Sequence, residues 1–118
     1  MNFRKRMVGD VAVAALSGAL DGPSADEVRD RLSKLVTQYE RVVVDFSGVS
    51  CVSSTSLRML LLIYRQAQAG GHSVAVVGLS PEVHNVLAAT GFLDFFVVAD
   101  TITEGVASMR YRGREAVA

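Results

Sequence analysis

The sequence predicts an α/β domain whose mixed sheet has about five strands, mostly parallel, with about four helices packed on it. Three observations support this prediction. Valine-rich strand patterns alternate with amphipathic helical patterns, which is the order that builds a parallel sheet. The runs at 41–45 and 73–77 have continuously apolar interiors, as in strands covered on both faces. Only Gly9-Asp10 separates the first two strand patterns, so these form an antiparallel hairpin at one edge.

The first half of the chain predicts this hairpin, a helix and a third strand. A loop rich in Gly and Asp over 17–23 follows the hairpin. Ser24 precedes acidic residues and is therefore predicted to cap the first helix. The third strand is predicted to end at a turn formed by Ser47-Gly48. The predicted bounds are 3–8 and 11–16 for the hairpin, 25 to 38 or 39 for the helix, and 41–45 for the strand.

The second half predicts three helices and two strands. Gly70-Gly71 ends the first of these helices. Ser80 caps the next one, which has Pro81 at its first position, buries Val86 and stops at Gly91. The predicted bounds are 55–69 for the second helix, 73–77 for the fourth strand, 81–90 for the third helix, 95–98 for the last strand, and 101–109 for the last helix, capped by Asp100 or Thr101.

The length predicts a single domain over residues 1–118, with a core over about 5–110. The 12 basic and 12 acidic residues give a formal net charge of zero. A nucleic-acid-binding domain carries a positive excess, so no direct contact with nucleic acid is expected. Both ends are basic, which we interpret as an aid to solubility. The basic residues at the ends are Arg4, Lys5 and Arg6, and Arg110, Arg112 and Arg114.

The sequence also predicts a cytoplasmic protein without membrane insertion. Cys51 is the only cysteine, so no intramolecular disulfide can form and a reducing compartment is expected. The longest apolar run, Met59–Ile63, is too short to cross a bilayer. The basic N-terminus is not followed by the apolar segment of a signal peptide.

Candidate catalytic groups are lacking in the sequence. It contains no phosphate-binding loop, metalloprotease motif or nucleophile elbow. His72 follows the stop of a helix and is expected to be exposed in a turn. His84 lies on the third helix without a Cys, His or carboxylate pair nearby, whereas a metal site needs several converging ligands. The sequence therefore predicts a binding protein rather than an enzyme, with no metal site and no cofactor.

Four consecutive hydroxyl residues, Ser53, Ser54, Thr55 and Ser56, open the second helix. One hydroxyl is enough to cap a helix, so four exceed that role. A phosphate added here would meet unpaired N–H groups and the positive end of the helix dipole, so the fold should tolerate it. It would also add about two negative charges to a contact surface. The segment is therefore predicted to be a phosphorylation switch.

The second helix is predicted to bind a partner through the side that faces away from the sheet. This side carries Met59, Leu62 and Gln66, flanked by Arg58 and Arg65, and Met and Arg are enriched in interfaces. The alternative is that Met59 and Leu62 are scattered surface residues or lie under the last helix. Cys51, just before the helix, is expected to be a small buried residue. The stripe predicted to face the sheet comprises Leu57, Leu60, Leu61 and Tyr64.

Several segments, in this order and at this spacing, make the chain resemble the STAS domain of anti-sigma-factor antagonists. In that family a central strand leads into Asp-Leu-Ser-Gly-Val and then into Asp-Ser-Ser-Gly-Leu. The resemblance covers nearly the whole chain and implies a STAS-type fold. The matching segments are Ser17-Gly18-Ala19-Leu20-Asp21, Val42-Val43-Val44-Asp45-Phe46-Ser47-Gly48-Val49, Ser53-Ser54-Thr55-Ser56-Leu57 and Thr90-Gly91-Phe92-Leu93.

The resemblance implies a role in partner switching. In this family the unphosphorylated antagonist binds a kinase-type anti-sigma factor, an ATP-binding protein, and so releases a sigma factor. The anti-sigma factor phosphorylates the antagonist, which ends the complex, and a phosphatase resets it. The family's acceptor serine aligns with Thr55, whose hydroxyl can also accept phosphate.

The chain departs from the family motif on both sides of the acceptor. Ser53 stands where the family has Asp, and Ser56 where it has Gly, so Ser54 or Ser56 are alternative acceptors. Asp21 matches an acidic residue of the family and is expected near Thr55 at the same end of the sheet; its alternative role is turn formation. The predicted partner-binding residues are Asp21, Ser53, Ser54, Ser56, Arg58, Met59 and Leu62.

A second interpretation keeps the fold and changes the function. The departures from the motif also fit a constitutive STAS subunit or scaffold, for example the soluble partner of a transporter ATPase, which undergoes no phosphate switching. The apolar side of the second helix is also compatible with a weak homodimer.

Overall fold

The predicted fold class is confirmed, because the chain forms a mixed sheet of five strands with four α-helices and one short 3₁₀ helix. The computed structural model describes the backbone of residues 1–117 and the side chains of residues 1–109. The strands are β1 (Asn2–Val8), β2 (Val11–Leu20), β3 (Arg41–Val52), β4 (Ser73–Val77) and β5 (Val97–Ala99). The α-helices are α1 (Gly22–Gln38), α2 (Ser54–Ala69), α3 (Pro81–Ala89) and α4 (Ile102–Val117), and Phe92–Phe95 form the 3₁₀ helix.

The strands lie in the sheet in the order in which they follow along the chain, β1-β2-β3-β4-β5. β1 and β2 pair antiparallel, whereas the three later pairs are parallel. The predicted edge hairpin and parallel body are therefore confirmed. Because β2 and β3 run parallel and each leads directly into a helix, α1 and α2 begin at the same edge of the sheet.

Helices cover both faces of the sheet. One hydrophobic cluster joins α1, α2 and α3 to Val42 and Val44, and a second joins α4 to Val43. Successive side chains of a strand point to opposite faces, so a strand covered on both faces needs a continuous apolar run. This explains the valine run of β3 and confirms its predicted central position. Within the described residues, no helix combines the length and the apolar character that a membrane span requires.

β2 and β3 both continue further than the sequence predicts. A loop is predicted over 17–23, but residues 17–20 belong to β2. Leu20 is fully buried and still paired with β3. The expected turn at Ser47-Gly48 is also wrong, since both residues belong to β3. A Cβ on Gly48 would lie only 2.7 Å from the Cβ of Ser17. Glycine is therefore needed here for the close approach of the two strands and not for a turn.

Two corrections concern α3 and the segment after it. Val86, predicted to be buried, is 42% exposed, because the buried side of this nine-residue helix consists of Val83 and Leu87, one turn apart. Gly91 has a φ of 73° and leads into the 3₁₀ helix. The last strand therefore begins at Val97 and not at the predicted Phe95.

The last helix confirms one of its two predicted caps and is longer than expected. The Thr101 hydroxyl oxygen accepts a hydrogen bond from the backbone N–H of Glu104 at 3.1 Å. α4 then continues past the predicted end at 109 to Val117. The side chains of the C-terminal basic residues Arg110, Arg112 and Arg114 lie outside the described residues.

The buried face of α2 is rotated from the predicted stripe. Leu60 is buried as expected, but Leu57, Leu61 and Tyr64 are only partly buried and pack at the side of the core. The prediction that Met59 is exposed is wrong, because this side chain is 4% exposed and lies in the core. The observed buried face includes two small side chains, Ser56 and Ala67, which a pattern of large apolar residues overlooks. Its members are Ser56, Met59, Leu60, Ile63 and Ala67.

Replacement of Met59 by Ala should lower the free energy of unfolding by about 2–5 kcal/mol, because it leaves a cavity in the core. The matched control is Leu62→Ala, on the same helix, which should change it by about 0.5 kcal/mol or less. Leu62 is 50% exposed. Urea unfolding followed by circular dichroism measures both values. Equal effects of the two substitutions would contradict the assigned face.

Candidate functional site

The hydroxyl cluster lies at the edge of the sheet where β2 and β3 both end. Leu20 of β2 is the partner of Val52 of β3, and the backbone N–H of Ser53 donates to the carbonyl oxygen of Leu20 at 3.1 Å. Asp21 and Ser53 follow this pair, and they are the N-caps of α1 and α2. The structure thus brings Asp21 to the same end of the sheet as Thr55, as the sequence predicts.

Two of the four hydroxyls form a reciprocal cap on α2. The Ser53 hydroxyl oxygen accepts a hydrogen bond from the backbone N–H of Ser56 at 3.2 Å. The Ser56 hydroxyl accepts from the Ser53 N–H at 2.8 Å and donates to the Ser53 carbonyl oxygen at 2.7 Å. This is a capping box in which serine replaces the usual Glu or Gln at the third helical position. Two hydroxyls, not one, therefore take part in the cap of this helix.

Burial separates the members of the cluster. Ser56 is 0% exposed, and its hydroxyl is held between backbone groups. Ser54 and Thr55, the first two residues of α2, are exposed. A modifying enzyme can reach the hydroxyls of Ser54 and Thr55 without disturbing the fold, whereas Ser56 would have to leave the core. The geometry therefore disfavours Ser56 as the alternative acceptor.

A second capping box starts α1, where Asp21 is the cap and the predicted cap Ser24 is the third helical residue. The Asp21 carboxylate accepts from the Ser24 backbone N–H at 3.2 Å, and the Asp21 N–H donates to the Ser24 hydroxyl at 3.0 Å. The hydrogen bond from the Ser24 backbone, helped by one from its hydroxyl, lowers the pKa of Asp21 below its usual value. Asp21 thus has a capping role and places an exposed negative charge at this edge.

A shallow depression lies between α1 and α2 and contains Thr55. Arg58 and Leu62, both exposed, lie at this depression, and Met59 lies in the core beneath them. Of the predicted partner-binding residues, Arg58 and Leu62 therefore meet at one surface, whereas Met59 is buried beneath it and is not available to a partner. The depression is lined by Ala25, Asp26 and Arg29 of α1 and by Thr55, Arg58, Met59 and Leu62 of α2.

Sequence reasoning missed the contribution of α1 to this surface. Arg29 pairs with Asp26 at 3.5 Å and with Asp30 at 3.6 Å. The two helices are held side by side by Gln66, which accepts from the Ser33 hydroxyl at 2.9 Å and donates to the Thr37 hydroxyl at 2.8 Å. Gln66 lies on the side of α2 that is predicted to bind a partner, but the structure uses it to contact α1.

The expectation that Cys51 is buried is wrong, because this residue is exposed. β4 pairs with β3 only as far as Asp45. Cys51 therefore lies on a part of β3 that has a neighbouring strand on one side only. There it lines a second shallow depression together with Glu82 and Val86 of α3.

The two histidines differ in environment. His72, expected to be exposed, is partly buried, with its Nδ1 atom 2.6 Å from the carbonyl oxygen of Val36 near the end of α1. His84 is exposed on α3, as expected. Throughout the part of the chain that the structure describes, no three His, Cys, Asp or Glu side chains are grouped as a metal would require.

The sequence of the chain is similar to a known domain family and to known proteins. The sequence model of the STAS domain matches residues 2–105. BtrV of Bordetella bronchiseptica, named as a candidate anti-sigma factor antagonist, is 28% identical over 111 residues, which are 93% of this chain and 96% of BtrV. The anti-sigma F factor antagonist of Paenibacillus polymyxa is 27% identical over 92 residues, which are 76% of this chain and 79% of that protein.

Solved structures show the same fold. The anti-sigma factor antagonist SpoIIAA in its unphosphorylated form has a TM-score of 0.71 and 23% identity, with 95% of this chain and 99% of SpoIIAA covered. The structure of Bacillus SpoIIAA in the phosphorylated form has a TM-score of 0.70 and 22% identity, with 91% and 98% covered. At this identity the likeness concerns the fold alone.

Removal of the Ser56 hydroxyl should destabilise the protein more than removal of the neighbouring one. Ser56→Ala removes the hydroxyl that closes the capping box, while the Ser53 N–H keeps its bond to the Leu20 carbonyl, so the expected loss is about 1 kcal/mol of unfolding free energy. Ser54→Ala, the exposed control, should change it by about 0.5 kcal/mol or less. Thermal and urea unfolding compare the two. A Ser56→Ala variant as stable as Ser54→Ala would show that the capping box contributes nothing.

Asp21 should titrate below the usual aspartate value of 3.8, because its charged form accepts hydrogen bonds from Ser24. A group whose pKa is depressed on folding stabilises the folded state above its unfolded pKa. This stabilisation is lost as the pH falls through the folded pKa. Side-chain carboxyl shifts recorded by NMR against pH measure the value directly. A midpoint at or above 3.8 would contradict the assigned cap.

Proposed function

This chain belongs to the STAS domain family, and from that premise we propose that it is an anti-sigma-factor antagonist that acts by binding. The unphosphorylated form binds a kinase-type anti-sigma factor, which is an ATP-binding protein, and so releases a sigma factor. Phosphorylation at the start of α2 ends this binding, and a phosphatase restores it. The kinase-type anti-sigma factor uses ATP, which is available in the cell interior, and the phosphatase acts on its product. We therefore propose that the protein is cytoplasmic.

The observation that carries the proposal is the position of Thr55. It is the exposed second residue of α2. It lies at the end of the sheet where β2 and β3 both end and where α1 and α2 both begin. The backbone N–H groups of a first helical turn have no partner within the helix, and the helix dipole is positive there. A phosphate on Thr55 is therefore compatible with the folded domain.

The same phosphate is unfavourable for a complex formed at this edge. It adds about two negative charges next to Arg58 and Leu62, at the surface that a partner would cover. Covering such a group with a partner removes water from it, which is costly. The modification thus acts on the complex much more strongly than on the fold, as partner switching requires.

The two departures from the family motif leave the acceptor accessible. Ser53 replaces the acidic residue, and its hydroxyl oxygen accepts the capping hydrogen bond of α2. Ser56 replaces a glycine, yet its side chain is directed inwards and closes the capping box. The charge lost at Ser53 has a neighbour in Asp21, whose carboxylate is exposed at the same edge. Both serines are therefore explained by helix capping, and Thr55 remains the proposed acceptor.

The proposed reaction is a transfer from ATP to a hydroxyl. The Thr55 Oγ atom attacks the γ-phosphorus, a new O–P bond forms, and the bond to the β-phosphate oxygen breaks so that ADP leaves. The hydroxyl proton passes to a base of the kinase. The antagonist contributes only the exposed acceptor and its surroundings.

A second candidate is a constitutive STAS subunit or scaffold, such as the soluble partner of a transporter ATPase or a weak homodimer. The observation in its favour is that Ser53 and Ser56 are both used for capping. Half of the hydroxyl cluster therefore has a structural role that requires no phosphate. On this interpretation Thr55 is never modified and partner binding does not change.

Affinity capture from the native lysate tests the proposal. Wild-type protein should capture a kinase-type ATPase, identified by mass spectrometry, and Thr55→Glu should capture at least about tenfold less, because one interface charge without a partner costs more than 1.4 kcal/mol. Ser54→Glu is the matched control, with the same charge on the neighbouring exposed residue, and should lose less binding. Equal capture by all three proteins supports the constitutive subunit.

Phosphate acceptance is tested separately with radiolabelled ATP and the captured kinase. Thr55→Val retains the shape of the side chain but lacks the hydroxyl, and it should remain unlabelled. Ser54→Ala should be labelled like the wild type. Label that persists in Thr55→Val and disappears in Ser54→Ala would move the acceptor to Ser54.

A further inference from the structure

Two arginines from different helices line the depression that contains Thr55. Arg58 lies on α2 three residues after Thr55, so the two residues are neighbours on one helix face, with Cβ atoms about 5–6 Å apart. Arg29 comes from α1, on the opposite side of the depression. Helical side chains lean towards the N-terminus of their helix, and both helices begin at this edge. Both guanidinium groups can therefore reach towards Thr55.

Arg29 forms two surface ion pairs that another anion could replace. It pairs with Asp26 at 3.5 Å and with Asp30 at 3.6 Å, and its side chain is 46% exposed while theirs are 75% and 72% exposed. Ion pairs this exposed contribute little and are screened by salt. A phosphate offers the planar guanidinium a stronger, bidentate partner. Arg29 can therefore leave one carboxylate for a phosphate at modest cost.

A carboxylate at the depression makes the arginines necessary. Asp26 lines the same depression as Thr55 and would repel a phosphate placed there. The first-turn N–H groups of α2 offset part of this repulsion, but they belong to α2 alone. An arginine that contacts both anions screens them from each other. Arg29, which already contacts Asp26, is the residue in that position.

We propose that phosphorylated Thr55 is held by a clasp of Arg58 and Arg29, which ties the first turns of α2 and α1 together. This inference rests on the proposed function, which makes Thr55 the acceptor. The phosphate then occupies two cations that the unphosphorylated surface offers to its partner. Phosphorylation thereby withdraws both arginines from any partner group that would contact them.

The test uses protein with phosphothreonine incorporated at position 55 during synthesis, so no kinase is needed. Cations favour the dianionic phosphate, so its second pKa, followed by ³¹P NMR, should lie below the usual value of about 6 in the folded wild type. It should rise in Arg58→Gln and in Arg29→Gln. Arg65→Gln is the matched control, an exposed arginine of α2 that does not line the depression, and should leave the pKa unchanged. Asp26→Asn should lower it further.

Each outcome decides the clasp. An unchanged phosphate pKa in Arg29→Gln overturns it, even if Arg58→Gln raises the value, because α1 then plays no part. A wild-type value equal to that of the urea-unfolded chain overturns it as well. Urea unfolding of every variant shows that the phosphate was observed in a folded domain. A failed capture experiment with Thr55→Glu would refute the proposed function and leave this pKa comparison intact.

Discussion

The parallel pairing of β2 with β3, continued as far as Leu20 and Val52, is the constraint on which the rest of the structure depends. It places the ends of two strands at one edge, and each strand passes directly into a helix. The pairing requires backbones close enough that a Cβ on Gly48 would meet Ser17. Without this extension α1 and α2 would begin at different heights, and no surface would combine Thr55 with residues of α1.

Both helix starts use the same solution for unpaired N–H groups, but with different charge. Asp21 and Ser24 form the box on α1, while Ser53 and Ser56 form the box on α2. The cap of α1 is anionic and that of α2 is neutral. A neutral cap leaves the positive end of the α2 dipole without a fixed negative neighbour in its own first turn. The electrostatic attraction of that turn for an anion is therefore still available.

The sequence predicts the order and type of the elements well, because long apolar runs and glycine or proline stops are local signals. β4 is predicted with its observed bounds, and Ser80 caps α3 as expected. The strand extensions were missed because Ser47-Gly48 has the composition of a turn, whereas its conformation is decided by a strand far away in the chain. The burial of Met59 was missed for a similar reason, since the position of α2 on the sheet is set by small residues such as Ser56 and Ala67. The position of Arg29 at the depression carries no sequence signal, because it depends on helix packing.

Within the hydroxyl cluster, some residues stabilise the fold and others are exposed at the surface. Ser53 and Ser56 are fixed by hydrogen bonds within the fold, so changing them alters stability first. Thr55 lies between them in sequence but points outwards, so changing it alters the surface first. The rigid cap holds the exposed residue in place, because a helix whose first turn frayed would not present one hydroxyl at a defined position. Two residues fixed by the capping box, with the exposed Ser54 and Thr55 between them, would allow the proposed modification to take place without unfolding the domain.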